Sequence, residues 1–230
     1  LHVRSRRQRQ MCIRDSFDMD GTLIDSMPLW RDVGQTFRER RQLPPLGDMT
    51  RLFHKMTIIQ AATYLKDAYQ LPESTEAVHR EIQEIAWQAY AEKVPLKDGV
   101  AEALDAFKAA GVRMAIATAN ERSLVELVLN RLNIAPYIDT VRTCGEVGMT
   151  KKEGPSVYLK CLQDLGGSVP ETCYVFEDAP HAAESAAQAG FQVVAVYDDA
   201  YAYDLPRLKK AARYYCQKAS QWPALLEDSF

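Results

Sequence analysis

A chain of 230 residues that is 47% hydrophobic and 26% charged can fill one large domain, or a core carrying a smaller inserted unit. A formal net charge of −3 argues against a nucleic-acid binder or a basic membrane-surface binder, and no apolar run approaches the roughly 20 residues of a membrane helix. The five cysteines (Cys12, Cys144, Cys161, Cys173, Cys216) form no CxxC pair and the four histidines are scattered, which excludes a zinc ribbon or finger and fits reduced thiols in a cytoplasmic protein.

Residues 1–16 hold five arginines against one aspartate, a net +4 that leaves −7 for the rest of the chain. The stretch has neither the apolar core of a secretory signal nor an amphipathic pattern. It also conflicts with its position. Asp18 is expected at the end of a central parallel strand, and such strands read as continuous apolar runs. Here Arg14, Asp15 and Ser16 occupy that place. The segment resembles a translated sequencing adapter and is read as a non-native or disordered leader, with residues 1–12 loosely attached. Residues 13–17 are expected to be pressed into the first-strand position, leaving Arg14 or Asp15 strained, paired or poorly satisfied.

Phe17-Asp18-Met19-Asp20-Gly21-Thr22 reads as a strand end entering a loop. Residues 28–93 then carry helical spacing, seen in Leu29, Val33, Phe37 and again in Ile82, Ile85, Ala86, Ala89. Prolines at 44, 45 and 72 break these helices, and no strand pattern intervenes. The segment is expected to be a small helical bundle. From Val94 onward strands and helices alternate. A helix opening at Lys97-Asp98-Gly99-Val100 ends near Gly111, and strands are expected at 112–118, 138–143, 172–177 and 192–197. Helices are expected at 121–132, 155–165 and 181–189. This alternation predicts an α/β fold with a doubly wound parallel sheet. The expected divisions are a leader (1–16), a core (17–27 and 94–216), the helical insert (28–93) and a C-terminal tail (217–230).

Ligands of such sheets bind at the carboxyl ends of the strands. Asp18 and Asp20 follow the first strand, Thr118 and then Asn120 come after VRMAIA, and Glu177 and Asp178 come after TCYVF, with Thr150-Lys151-Lys152 between the last two. Carboxylates converging in a cleft repel one another unless a cation joins them, and an all-oxygen set suits magnesium. One carboxylate can attack phosphorus while another moves the proton. A lysine, a hydroxyl and the metal would neutralise the phosphoryl oxygens.

With these motifs in order, the chain resembles the haloacid dehalogenase superfamily across about residues 17–200. DMDGTLIDS is similar to its first signature, the threonine of IATAN to its second, KKEGPSVY to its third and VFEDAPHAAESAAQAG to its fourth. The resemblance implies a Rossmann-like core with an α-helical cap. It implies Asp18 as nucleophile and metal ligand, and Asp20 as general acid/base with its carbonyl on the metal. Thr118, Asn120 and Lys152 would bind phosphate, Lys152 being selected over Lys151 because a proline stands three residues on. Asp178 would bind Mg2+ directly and Glu177 through water. The implied activity is hydrolysis of a small phosphorylated metabolite through an aspartyl-phosphate, with neither nucleic acid nor membrane as partner. The alternatives are a sugar-phosphate mutase similar to β-phosphoglucomutase and a catalytically impaired member. At the mutase's cap histidine and arginine this chain has Trp30 and Thr57, and Asp20 disfavours a true dehalogenase. Asp25, Asp198 and Asp199 are read as structural or loop acids, and His181 as packing or facing solvent.

Overall fold

The structure is a computed structural model that describes residues 14–46 and 58–228. The expectations for residues 1–12 and for Thr57 lie outside the described residues. Six strands form one parallel sheet: β1 (Arg14–Phe17), β2 (Arg113–Thr118), β3 (Thr140–Thr143), β4 (Tyr174–Glu177), β5 (Gln192–Val196) and β6 (Tyr214–Cys216). Their order is β3-β2-β1-β4-β5-β6. The chain winds from β1 out to β3, returns, and winds out again to β6. The reversal falls between β1 and β4, where Ser16 pairs with Val175 and Phe17 with Phe176. Open α/β sheets bind ligands at the carboxyl ends of the strands flanking such a reversal.

Among the described residues are ten α-helices, besides short 3-10 turns: α1 (Met27–Arg40), α2 (Ile58–Ala68), α3 (Thr75–Glu92), α4 (Val100–Ala109), α5 (Arg122–Arg131), α6 (Cys144–Val147), α7 (Ser156–Asp164), α8 (Pro180–Gln188), α9 (Leu205–Ala211) and α10 (Leu225–Asp228). None is long and apolar enough to cross a membrane. Two compact units emerge, Ser26–Pro95 and the remainder.

In the larger unit, period-two alternation sends successive side chains to opposite faces of the sheet. Ala115, Ala117, Val175, Val193 and Ala195 face a core completed by Val157, Tyr158 and Cys161 of α7. On the other face Phe17 stacks on Phe176 with centroids 4.5 Å apart, and Phe107 and Trp222 close round them. Each such side chain, fully buried, contributes about 1.5–3 kcal/mol. The smaller unit packs Val33 and Phe37 of α1 against Ala62 and Leu65 of α2 and Val78, Ile82 and Ile85 of α3. Ser74 caps α3 by accepting from the Ala77 N–H at 3.3 Å. Arg41, just past α1, joins Glu73 at 2.7 Å and Glu81 at 2.9 Å.

Two expectations change. The C-terminal tail is no appendage: Trp222 is fully buried in the aromatic cluster, because Phe17, Phe107 and Phe176 leave a face that the sheet and α4 alone do not cover. A sixth strand, β6, also extends the sheet beyond the last one foreseen. At the other end, β1 is built from Arg14 to Phe17. Asp15 is 1% exposed and accepts the Tyr174 N–H at 3.2 Å, while its second oxygen has no hydrogen-bond partner among the described residues. Burial pushes its carboxyl up to about 7. Arg14 donates from Nε to the Leu165 carbonyl at 2.9 Å.

Candidate active site

The β1 strand ends at Phe17, and its pairing with β4 continues through the Asp18 N–H, which donates to the Phe176 carbonyl at 3.0 Å. Asp18 thereby stands at the switch point, beside Glu177 and Asp178 at the end of β4. A carboxylate oxygen from each of these three acids falls within one 4.8 Å group. All three are buried. The loop after Asp18 folds tightly, with the Leu23 and Ile24 N–H groups returning to the Met19 carbonyl at 3.0 Å. This presses the Gly21 backbone against Asp178. Gly21 has φ +74°, and a Cβ there would lie 2.1 Å from Asp178 Oδ2, so only glycine fits.

Lys151 enters the same group. Its ammonium donates to Asp18 Oδ1 and, at 2.6 Å, to Glu177 Oε1. Tyr158 of α7 donates its hydroxyl to the same Glu177 oxygen at 2.6 Å. Burial alone would lower the lysine's pKa. The charges of Asp18 and Glu177 more than offset that and hold it above the usual lysine range. Glu177 is pushed up to about 7, first by burial and then by Asp18, with Lys151 opposing. Asp178 is raised well above the carboxylate range by burial, then by Asp18, Glu177 and Asp198, with Lys97 opposing.

A second chain of contacts runs from the acid/base candidate. Asn120 donates its amide to Asp20 Oδ2, and its backbone N–H donates to Thr118 Oγ at 3.1 Å. Thr118 closes β2 and is 1% exposed. Asp20 is half-buried, and its carboxylate is outside the three-acid group.

The lysine expectation is corrected. Lys151, not Lys152, reaches Asp18, and Lys152 is exposed. Residues 151–153 form a turn, fixed by Glu153, whose carboxylate accepts from the Thr150 N–H at 2.9 Å and hydroxyl at 2.8 Å. Successive side chains diverge in a turn, so a spacing counted to Pro155 selects the neighbour that points away. Sequence reasoning also missed Tyr158, which stands within the expected helix at 155–165, and Lys97, whose ammonium donates to the Gly21 carbonyl in the loop after Asp20. Thr22 contributes its hydroxyl to Asp178 Oδ1 at 3.5 Å, and Tyr201 lies near the same acids, its phenol pushed up by burial and then by Asp178 and Glu177. His181 opens α8 half-buried, its pKa lowered by burial and then by Lys151.

The unsatisfied atoms of the donor set bear on whether it fits a cation. Glu177 Oε2 and Asp178 Oδ2 are buried without a hydrogen-bond partner among the described residues. Leaving such oxygens unmet costs about 1–3 kcal/mol each, more when charged. Hard oxygen donors with no thiolate or imidazole among them fit a divalent cation of the magnesium or calcium type.

A buried carboxylate group with a lysine ammonium against it, at the switch point of a doubly wound sheet, marks the ligand site of an α/β protein. Similarity to known proteins gives its family. The model of the haloacid dehalogenase-like hydrolase family matches residues 16–196, so the chain belongs to that family. Phosphorylated carbohydrates phosphatase of Thermotoga maritima is 30% identical over 76% of this chain and 81% of its own. Hexitol phosphatase B of Escherichia coli is 30% identical over 71% of this chain and 73% of its own, and fructose-1-phosphate phosphatase of the same species is 31% identical over 78% and 94%. Among solved structures, one described as a putative β-phosphoglucomutase from Thermotoga maritima superposes with a TM-score of 0.81 at 25% identity, covering 95% of this chain and 100% of its own. CbbY from Rhodobacter sphaeroides shares the fold, with a TM-score of 0.73 at 19% identity over 92% and 96%. With family and relatives together, the chain is a phosphatase of this family.

Proposed function

We propose that the protein hydrolyses a small phosphorylated sugar or polyol in a magnesium-dependent reaction through an aspartyl-phosphate on Asp18. The observation that carries the reading is the buried Asp18–Glu177–Asp178 group, with two unmet oxygens and the Lys151 ammonium against it. The relatives named hexitol phosphatase and fructose-1-phosphate phosphatase support the substrate class.

In this reading an Asp18 oxygen attacks phosphorus and the ester P–O bond breaks. Asp20, protonated, gives its proton to the departing alkoxide. In the second half Asp20 takes a proton from water as that water attacks the phosphoryl group, the Asp18–phosphorus bond breaks and inorganic phosphate leaves. Asn120 holds the Asp20 carboxylate in place. Thr118 Oγ and Lys151 donate to the phosphoryl oxygens, and Lys151 takes the part first expected of Lys152. Asp18 and Asp178 would hold Mg2+ directly, with the Asp20 carbonyl and, through water, Glu177. When bound, the ion neutralises phosphoryl charge that the surplus of carboxylates would otherwise repel. The helical unit, Ser26–Pro95, is the cap that selects the substrate, and the enzyme works in the cytoplasm.

A panel of phosphorylated hexoses, pentoses and polyols with Mg2+ tests the proposal, with D18N as control. Phosphate release by the wild type alone, abolished by chelation, is the expected result. Turnover by D18N overturns the nucleophile. The likeness to the putative β-phosphoglucomutase structure favours one second reading, transfer to a sugar hydroxyl instead of water. Phosphorus NMR of the product separates them, an isomeric sugar phosphate marking the mutase. Trp30 stands where the mutase histidine was expected, and its indole N–H donates to the Tyr90 hydroxyl at 2.9 Å, a packing contact with no acid/base capacity at neutral pH.

A further inference from the structure

We propose that Lys97 is a positioning residue that fixes the acid/base loop, an inference that rests on the assignment of Asp20 above. Lys97 lies just after the junction at Pro95–Leu96 and away from the four recognised motifs. Its ammonium has three N–H groups, and each has an acceptor: the Gly21 carbonyl at 2.6 Å, the Tyr197 carbonyl at 2.8 Å and Asp198 Oδ2 at 2.9 Å.

These three contacts join two loops at the carboxyl edge of the sheet. Gly21 follows Asp20 directly, and its backbone is also pressed against Asp178. Gly21, the residue after Asp20, is therefore held by Lys97 through its carbonyl and packed at its Cα against the Asp178 carboxylate. Lys97 also grips the loop through its backbone, since its N–H donates to the Leu23 carbonyl at 3.0 Å and Leu96 bridges Ile24. The other anchor is equally fixed. Asp198 is buried, and its Oδ1 accepts the Ala200 N–H at 2.9 Å. A lysine with 20% of its side chain exposed spends every donor on this junction. Charged-group hydrogen bonds of this kind are strong enough to hold a short loop in one pose. Lys97 touches no reacting atom. Its action is on where the Asp20 carboxyl stands.

The test compares K97M, K97R and D198N with the wild type, using p-nitrophenyl phosphate and Mg2+ as probe and correcting for the folded fraction. A loop displaced by about an ångström costs about 100-fold in rate. K97M should lose about that in kcat with KM within about threefold, K97R should recover to within about tenfold of wild type, and D198N should fall between. Retention of kcat within threefold by K97M overturns the inference, as does a loss in K97M and K97R alike that tracks their melting temperatures. Should the wild type itself show no magnesium-dependent turnover, the reading of the site fails, and hydrogen–deuterium exchange then decides on Lys97. Faster exchange of the amides at 18–24 in K97M than in wild type upholds the clamp, and equal exchange overturns it.

Discussion

Asp15 and Asp18 lie three residues apart on and just beyond β1, and both are buried acids of the same unit, yet their surroundings differ. Asp15 has burial against it and a single backbone N–H in its favour, so its carboxyl rises to about 7. Asp18 has Lys151 on one oxygen and shares a cation-sized space with Glu177 and Asp178. The first burial is a cost that one backbone N–H offsets only in part. The second is a cost that Lys151 offsets and that a bound divalent ion would offset further. A buried carboxylate is thus no sign of function by itself; the partners that restore its charge balance are.

The comparison breaks first at Asp18. D18N should bring turnover to background, measured as phosphate release, while far-UV circular dichroism stays native. Turnover near wild type would mean that the two acids of β1 differ only in packing. The partner of Asp18 should matter almost as much. K151M should abolish turnover while K152M stays within about threefold, reversing the order that motif spacing suggests. Next comes Asp20, whose replacement by Asn should cost about 10²–10⁴-fold in kcat, the usual weight of a positioned proton donor. Near-normal rates would move the proton transfer elsewhere.

At Asp15 the effect is on stability. The folded pKa of about 7 lies above the ordinary aspartate value of 3.8. A raised folded pKa means the folded state holds the proton more tightly, so the associated stability is complete below pH 3.8 and is lost as pH rises through 7. The gap between these two values corresponds to at most about 4 kcal/mol once the pH exceeds both. D15V should therefore be more stable than wild type by a few kcal/mol at about pH 8 in urea, with the gain falling by more than half at about pH 5. A gain of equal size at both values would mean that proton binding at Asp15 contributes nothing. The smallest effect sharpens the other side of the comparison. Saturating Mg2+, at about 100 times its Kd, should stabilise the wild type by about 2.7 kcal/mol in the same assay and D178N by much less.

Much of this was legible in the chain. VRMAIAT, TCYVFE and QVVAVY read as buried strands because both faces of a parallel sheet are covered, and β2, β4 and β5 fall within them. Glu177 and Asp178 were legible because the first closes TCYVFE and the second follows it, where strand direction alone puts them at the carboxyl edge. Lys151 was not, since the register of a turn depends on local hydrogen bonds such as those of Glu153, which spacing does not record. Lys97 was hidden for a different reason. Its three acceptors include two backbone carbonyls, and a carbonyl carries no sequence signature. The same holds for β6, three residues with a tyrosine pair, too short to show a period. The charges at Arg14 and Asp15 signalled a conflict correctly, and the orphan oxygen of Asp15 is the form that conflict takes.

Trp222 has a consequence for how the molecule is made. It completes the aromatic cluster under Phe17 and Phe176, the residues on which Asp18 and Glu177 follow. The floor beneath these two strands is thus supplied by a segment that leaves the ribosome well after β1. Until Trp222 emerges, a nascent chain exposes a sticky phenylalanine pair, and β1 must wait through the helical unit even to meet β2. The helical unit, whose own core is drawn from consecutive segments, can assemble during that wait and leave the ribosome already folded.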